Sequence, residues 1–128
     1  MKIVADSSAW IEFFRGAPQA RPIRDLLRNP ANLVVPSVVV LEVAKWVWRH
    51  HGEAAAASRT VVMKQGTIVD FTIDLALKAV ETGFARRLAT ADSIIYATAL
   101  EHKATLWTFD GHFAGLPGVR YFTKPPAS

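Results

Sequence analysis

Short apolar runs alternate with longer amphipathic segments along this chain. Five runs have the length and composition of buried β-strands: residues 2–5, 33–35, 67–71, 105–108 and 119–122. Six segments between them have helical spacing of apolar residues or high helix propensity: residues 7–14, 20–28, 37–51, 53–64, 72–88 and 91–103. This alternation predicts an α/β fold, a three-layer α/β/α domain with a mostly parallel sheet of four or five strands.

Hydroxyl side chains stand at the predicted starts of three helices. Ser37, Thr72 and Thr90 are each placed to cap a helix with the side-chain oxygen. In the helix that follows Thr72, the spacing of apolar residues predicts an inner face formed by Leu75, Ala79, Val80 and Phe84. We expect one domain over residues 1–124 and a short frayed tail over residues 125–128.

Composition restricts the classes of function. The chain has 128 residues, of which 51% are hydrophobic, so it can bury the core of one domain. Its apolar runs are far shorter than the roughly 20 residues that span a bilayer, and Asp6 interrupts the first run too early for a signal peptide. The lack of cysteine excludes disulfides, thiolate metal sites and cysteine nucleophiles. We therefore expect a cytoplasmic protein with no membrane partner.

The charge balance is basic, with a net charge of +4 and an isoelectric point near 9.8. A basic surface around an acidic, metal-filled pocket would suit an enzyme that cleaves phosphodiesters. Arginines near helix ends are candidates for phosphate contacts, although they also suit solvated helix faces: Arg15, Arg21, Arg24, Arg28, Arg49, Arg86 and Arg87.

Four acidic residues fall at the ends of predicted elements. Asp6 directly follows the first strand and Asp110 follows the fourth, so both lie at the carboxyl edge of a parallel sheet. Asp92 falls in the first turn of the helix before the fourth strand, and Glu42 in the second turn of the helix after the second strand. If the first and fourth strands are neighbours, the four carboxylates can share one cavity. Such oxygen ligands suit magnesium.

Each acid also has a purely structural explanation. Asp6 can cap the helix that follows it, which stabilises a helix by about 1 kcal/mol. Asp92 suits the positive end of a helix dipole, and Glu42 can pair with basic residues on its own helix face. Asp110 precedes Gly111 and forms a common turn signal. Only the joint placement of the four favours a metal site.

Four stretches match a known family in order and separation: residues 3–9, 36–43, 88–99 and 106–113. On these stretches the chain resembles the PIN domain, and in particular the small VapC-type toxins of bacterial and archaeal toxin–antitoxin pairs. The resemblance covers nearly the whole chain. It implies a PIN-like α/β/α fold for the domain.

The resemblance also implies a site and an activity. It implies a magnesium or manganese site formed by four acids: Asp6, Glu42, Asp92 and Asp110. The hydroxyls of Ser8 and Thr108 would orient carboxylates or water. The implied reaction is hydrolysis of RNA phosphodiester bonds by a metal-activated water, commonly in a structured RNA such as a transfer RNA. Either Glu42 or Asp92 would orient that water or accept its proton.

The resemblance further implies two protein partners and leaves two alternatives. The partners are a cognate antitoxin, which relatives bury against their early helices, and a second copy in a homodimer. Many relatives carry another acid near the last Asp, whereas here the neighbours are Gly111 and His112.

One alternative is a phosphohydrolase of the haloacid dehalogenase type, but that type needs a second Asp where this chain has Ser8. The other is a catalytically silent PIN-like RNA-binding module, which the retention of four acids disfavours.

Overall fold

The computed structural model describes residues 1–124, in which five short strands and six α-helices alternate. The strands are β1 (Ile3–Ala5), β2 (Leu33–Pro36), β3 (Thr67–Val69), β4 (Thr105–Thr108) and β5 (Val119–Tyr121). The helices are α1 (Ser7–Phe14), α2 (Arg21–Arg28), α3 (Ser37–His51), α4 (Glu53–Met63), α5 (Ile73–Arg86) and α6 (Thr90–Glu101). Three 3₁₀ turns connect them: Pro18–Ala20, Pro30–Asn32 and Gly111–Phe113. The predicted tail, residues 125–128, lies outside the described residues.

The five strands form one parallel sheet in the order β3-β2-β1-β4-β5. In the central strand β1, Val4 pairs with Val34 of β2 on one side and with Leu106 of β4 on the other. Every residue of β1 and β2 is buried, because these strands are covered on both faces. The predicted α/β/α domain with a parallel sheet is confirmed. Because β1 and β4 are paired in parallel, their carboxyl ends are adjacent, and residues that follow the two strands lie close together.

The core encloses helix α6 almost completely. Seven consecutive residues of this helix, Ser93–Ala99, are buried. Tyr96 is held from both ends, since its ring packs 6.4 Å from that of Phe113 and its hydroxyl donates to the carbonyl of Pro117 at 2.7 Å. A helix fixed in this way holds its first turn, which carries Asp92, in one position relative to the sheet.

The predicted helix caps are partly wrong. Thr72 caps α5 as predicted, because its Oγ1 accepts a hydrogen bond from the backbone N–H of Leu75 at 3.2 Å. Ser37 and Thr90 do not cap, since each is already the first helical residue of its helix. The extended β2 runs directly into α3, and the hydroxyl of Ser37 instead accepts from the backbone N–H of Phe71 at 3.2 Å.

The buried face of α5 is narrower than predicted. Two of the four expected inner residues are buried, Leu75 and Ala79. Val80 and Phe84 are 55% and 84% exposed, so their predicted burial is wrong. The reason is that α5 meets α6 along a line through Gly83, where a β-carbon would lie 2.6 Å from Oγ of Ser93. This close contact turns Val80 and Phe84 away from the core.

Element boundaries differ from the predicted ones by a few residues. The third strand ends at Val69 rather than Phe71, and α6 ends at Glu101 rather than residue 103. Between residues 1 and 124, no helix has both the length and the apolar character needed to cross a membrane.

Candidate active site

The fold brings the four predicted acids to the carboxyl edge of β1 and β4. Asp6 directly follows β1, and its backbone N–H donates to the carbonyl of Trp107 in β4 at 3.0 Å. Asp110 lies two residues beyond β4 and interacts electrostatically with Asp6 and with Asp92. Glu42, from the second turn of α3, also acts on Asp92. The condition set from the sequence, that the first and fourth strands be neighbours, is met.

Asp6 is buried, and both of its carboxylate oxygens accept hydrogen bonds. Its Oδ1 accepts from the backbone N–H of Ala9 at 2.9 Å and from the hydroxyl of Ser8 at 2.7 Å. Its Oδ2 accepts from the hydroxyl of Thr108 at 2.5 Å. The contact with Ala9 confirms the predicted helix cap of α1. Asp6 therefore caps this helix and also interacts electrostatically with Asp110.

Burial makes the negative charge of Asp6 costly. The side chain is 3% exposed, and this loss of water raises its pKa to about 6. Hydrogen bonds from Thr108, Ser8 and Ala9 oppose the rise, while the charge of Asp110 adds to it. The carboxylate thus lies where additional positive charge would stabilise its ionised form.

The two predicted hydroxyls connect Asp6 to the segment after β4. Oγ of Ser8, besides donating to Asp6, accepts from the backbone N–H of Phe109 at 2.9 Å. Oγ1 of Thr108, besides donating to Asp6, accepts from the backbone N–H of Asp110 at 2.8 Å. These bonds couple the position of Asp110 to that of Asp6, although their part in catalysis stays a prediction.

Asp92, Asp110 and His112 form a close group. One possible ligand atom from each lies within 4.8 Å of the others. Nδ1 of His112 is 3.0 Å from Oδ1 of Asp110, which also accepts from the backbone N–H of His112 at 2.9 Å. Burial, then the charges of Asp110 and Glu42, raise the pKa of Asp92, and His112 opposes this effect. Asp6 and Glu42 are outside this group of three.

Glu42 has a partner that the sequence did not reveal. Its Oε1 accepts a hydrogen bond from the hydroxyl of Ser7 at 2.6 Å, across the contact between α1 and α3. Within residues 1–124 it forms no ion pair with a basic residue of its own helix, so that structural explanation is wrong. Helix packing decides that Ser7 contacts α3, whereas Ser8 contacts Asp6.

The donor chemistry of this site fits a divalent cation. Carboxylate oxygens are the ligands of magnesium and manganese, and the close group offers two of them together with an imidazole. Burial first, and repulsion between the acids second, raise the pKa values of Asp6 and Asp92, and a bound cation would stabilise the ionised form of both side chains. The residues that would hold the cation are Asp92 and Asp110, and Asp6 would add its negative charge to the site.

A model of the PIN domain family matches residues 3–119, which is most of the chain. The chain belongs to the PIN domain family. The resemblance identified from the sequence is thereby confirmed. Among curated proteins, none matches this PIN domain significantly.

Solved structures of toxin–antitoxin systems are similar to this PIN domain. A toxin–antitoxin complex from Klebsiella pneumoniae contains a chain with 27% identity and a TM-score of 0.78, covering 93% of this chain and 96% of that one. VapC20 of Mycobacterium tuberculosis, described as a sarcin–ricin loop cleaving toxin, has 19% identity and a TM-score of 0.75, with coverages of 95% and 100%. VapBC2 of Rickettsia felis, bound to promoter DNA, has 16% identity and a TM-score of 0.75, with coverages of 96% and 100%.

The structure places His112 in the close group with Asp92 and Asp110, which the sequence did not predict. Its position two residues after Asp110 was visible, and the sequence placed it near the site, but no ligand spacing connected it to Asp92. The connection arises because the turn after β4 brings it beside the first turn of α6.

Proposed function

We propose that this PIN domain is a divalent-metal-dependent endoribonuclease and the toxin of a type II toxin–antitoxin pair. The observation that carries the proposal is the convergence of Asp6, Asp92 and Asp110 where the adjacent strands β1 and β4 end. Structural similarity to toxin chains, including one at 27% identity, supports the biological role. Family membership removes the basis for the haloacid dehalogenase alternative.

The residues of the site divide the work of phosphodiester hydrolysis. Asp92 and Asp110 would hold magnesium or manganese, and Asp6, positioned by Ser8 and Thr108, would complete the negative field. When bound, the cation supplies charge that polarises the phosphate and lowers the pKa of water. Glu42, rather than Asp92, would accept the proton of the attacking water. Glu42 lies outside the close group, and the hydroxyl of Ser7 fixes its carboxylate.

The charge distribution supports RNA as the substrate. Four of the 11 acidic residues belong to the site, so only seven remain elsewhere against 15 Lys and Arg. A surface so basic around an acidic site can hold a nucleic acid backbone while the site acts on one phosphate. The description of VapC20 as a toxin that cleaves the sarcin–ricin loop supports a structured RNA target, and a transfer RNA belongs to the same class. The proposed location is the cytoplasm, where such RNA is found.

An exposed apolar surface formed by α5 and by Phe71, two residues before it, supports a homodimer. We name it the α5 face, and it consists of Phe71, Ile73, Leu77, Val80 and Phe84, each more than half exposed. Surfaces of this kind on soluble proteins mark interaction sites. We assign this one to a second copy of the chain, and we assign the antitoxin, as in the resemblance, to the early helices.

A nuclease assay tests the proposal. Purified protein is incubated with total RNA and magnesium or manganese, with chelator in a parallel reaction, beside an Asp6→Asn variant. We expect cleavage that requires metal and is lost in the variant. Metal-independent cleavage, or equal cleavage by the variant, would contradict the proposal. RNA binding without cleavage would favour the silent binding module instead.

A further inference from the structure

One member of the close group offers a nitrogen atom on an exposed side chain. The side chain of His112 is 81% exposed, yet its ring is held beside Asp110 by the 3.0 Å contact of Nδ1 with Oδ1. The same ring offers a nitrogen within 4.8 Å of a carboxylate oxygen of Asp92. Two carboxylates from different elements thus meet an imidazole.

The turn after β4 does not by itself require this ring position. The backbone N–H of His112 bonded to Oδ1 of Asp110 at 2.9 Å is enough to form the 3₁₀ turn Gly111–Phe113. An exposed side chain at that position can point to solvent. Its placement toward Asp92, on a separate helix, is an additional feature of the geometry.

Imidazole changes the metal preference of a carboxylate site. Magnesium favours oxygen ligands and keeps several waters. Manganese also takes carboxylate ligands but, as a first-row transition ion, it accepts an imidazole nitrogen more readily than magnesium does. Histidines that ligate metals commonly have a carboxylate partner as well, which fixes the ring. Here the carboxylate beside the ring is Asp110, which is itself a member of the close group, so the 3.0 Å contact keeps the imidazole next to a candidate metal ligand.

We propose that His112 is a metal ligand of this site and that it makes the site prefer manganese over magnesium. This inference rests on the metal site of the proposed function, but it concerns the donor set of this chain and not the reaction.

The test measures metal binding without RNA. Calorimetric titrations with manganese and with magnesium are compared for the unmodified protein, His112→Asn and the control His51→Asn. His51 is exposed at the end of α3 and lies outside the close group. We expect His112→Asn to weaken manganese binding by roughly 10-fold or more. Magnesium binding should change by less than about threefold, since magnesium gains little from imidazole, and the control should match the unmodified protein.

A spectroscopic measurement separates ligation from a structural effect. Pulsed electron paramagnetic resonance of bound manganese should show nitrogen coupling in the unmodified protein and in His51→Asn, and no coupling in His112→Asn. Absence of nitrogen coupling in the unmodified protein, or an unchanged manganese-to-magnesium ratio in His112→Asn, would overturn the inference.

The two proposals fail separately. Nitrogen-coupled manganese in a protein that cleaves no RNA would retain the metal ligand and reject the ribonuclease. RNA cleavage with magnesium, together with bound manganese that shows no nitrogen coupling, would retain the ribonuclease and reject His112 as a metal ligand.

Discussion

The hydroxyl of Thr108 donates to Oδ2 of Asp6 at 2.5 Å, so the end of β4 holds the carboxylate that follows β1. The same hydroxyl accepts from the backbone N–H of Asp110 at 2.8 Å. One buried side chain therefore fixes two of the acids relative to each other. The geometry of the site depends on the pairing of β1 with β4 and on this hydroxyl.

Replacing Thr108 with valine should affect both stability and ionisation. Thr108→Val keeps the shape but leaves Oδ2 of Asp6 and the N–H of Asp110 without their partner, which we expect to cost about 1–3 kcal/mol of unfolding free energy. It should also raise the pKa of Asp6 further, because the lost hydrogen bond lowers that pKa. Urea unfolding across pH measures both effects.

Thr108→Ser is the matched control, since serine retains the hydroxyl and removes one methyl group. Its stability should fall at the same pH as that of the unmodified protein. If the serine and valine variants show the same pH dependence, the hydrogen bond to Asp6 does not have the assigned effect.

The raised pKa of Asp6 predicts a specific pH dependence of stability without metal. Its pKa rises on folding from 3.8 to about 6 because of burial. The folded protein thus holds this proton more tightly, so the stabilising effect is complete below about pH 4 and is lost as pH rises through about 6. The loss amounts to about 3 kcal/mol.

Asp6→Asn isolates this contribution, because asparagine keeps the capping acceptor but carries no charge. The unfolding free energy of the variant minus that of the unmodified protein should be near zero at low pH and should grow through about pH 6. Chelator excludes metal from the measurement. A difference that is flat with pH, or that grows toward acid, would contradict the assignment.

The close contact between α5 and α6 predicts that Gly83→Ala destabilises the fold. Alanine is the better helix former by about 1 kcal/mol, but its β-carbon would lie 2.6 Å from Oγ of Ser93, and overpacking costs about 1–3 kcal/mol. We expect a net loss of stability in thermal or urea unfolding. In a Ser93→Ala background most of the clash disappears, so the same change should be neutral or stabilising. Equal losses in both backgrounds would rule out this contact as the cause.

Replacing the most exposed side chain of the α5 face should weaken self-association. Phe84 is 84% exposed, and Phe84→Glu places a charge at the proposed interface without affecting the core. Sedimentation velocity over a range of concentrations should show at least a 10-fold weaker dimer, which corresponds to about 1.4 kcal/mol. Val61→Glu, on the exposed side of α4, is the control and should leave the dimer intact. A monomeric unmodified protein, or an unaffected variant, would exclude this interface.

The sequence was sufficient to predict the α/β/α fold and the strand-end positions of Asp6 and Asp110. Both depend on local patterns, namely apolar runs and the residues that end them. The sequence did not predict that β1 and β4 are adjacent, because strand order is a property of the whole chain. The shared site of the four acids was therefore conditional on that adjacency. Asp92 and Glu42 were candidates from their places in the first two turns of predicted helices, and the family resemblance assigned them to the same site.

The sequence was insufficient to predict contacts between side chains of two different secondary-structure elements. Periodicity could not show that Gly83 lets α5 approach Ser93, and so it assigned Phe84 to the core. It could not show that Ser7 faces Glu42, or that the turn after β4 brings His112 to Asp92. These contacts depend on the packing of neighbouring helices, which no single segment encodes.

The central claim is most directly tested by the rate of RNA cleavage in the Asp92→Asn variant. Asp25→Asn, on the exposed face of α2 where Asp25 pairs with Arg28, provides a control with the same change of charge. Under single-turnover conditions with manganese or magnesium, we predict that Asp92→Asn lowers the rate by at least about 100-fold, or 2.7 kcal/mol, and that Asp25→Asn leaves it unchanged. If both variants cleave at the rate of the unmodified protein, the acidic site is not the active site.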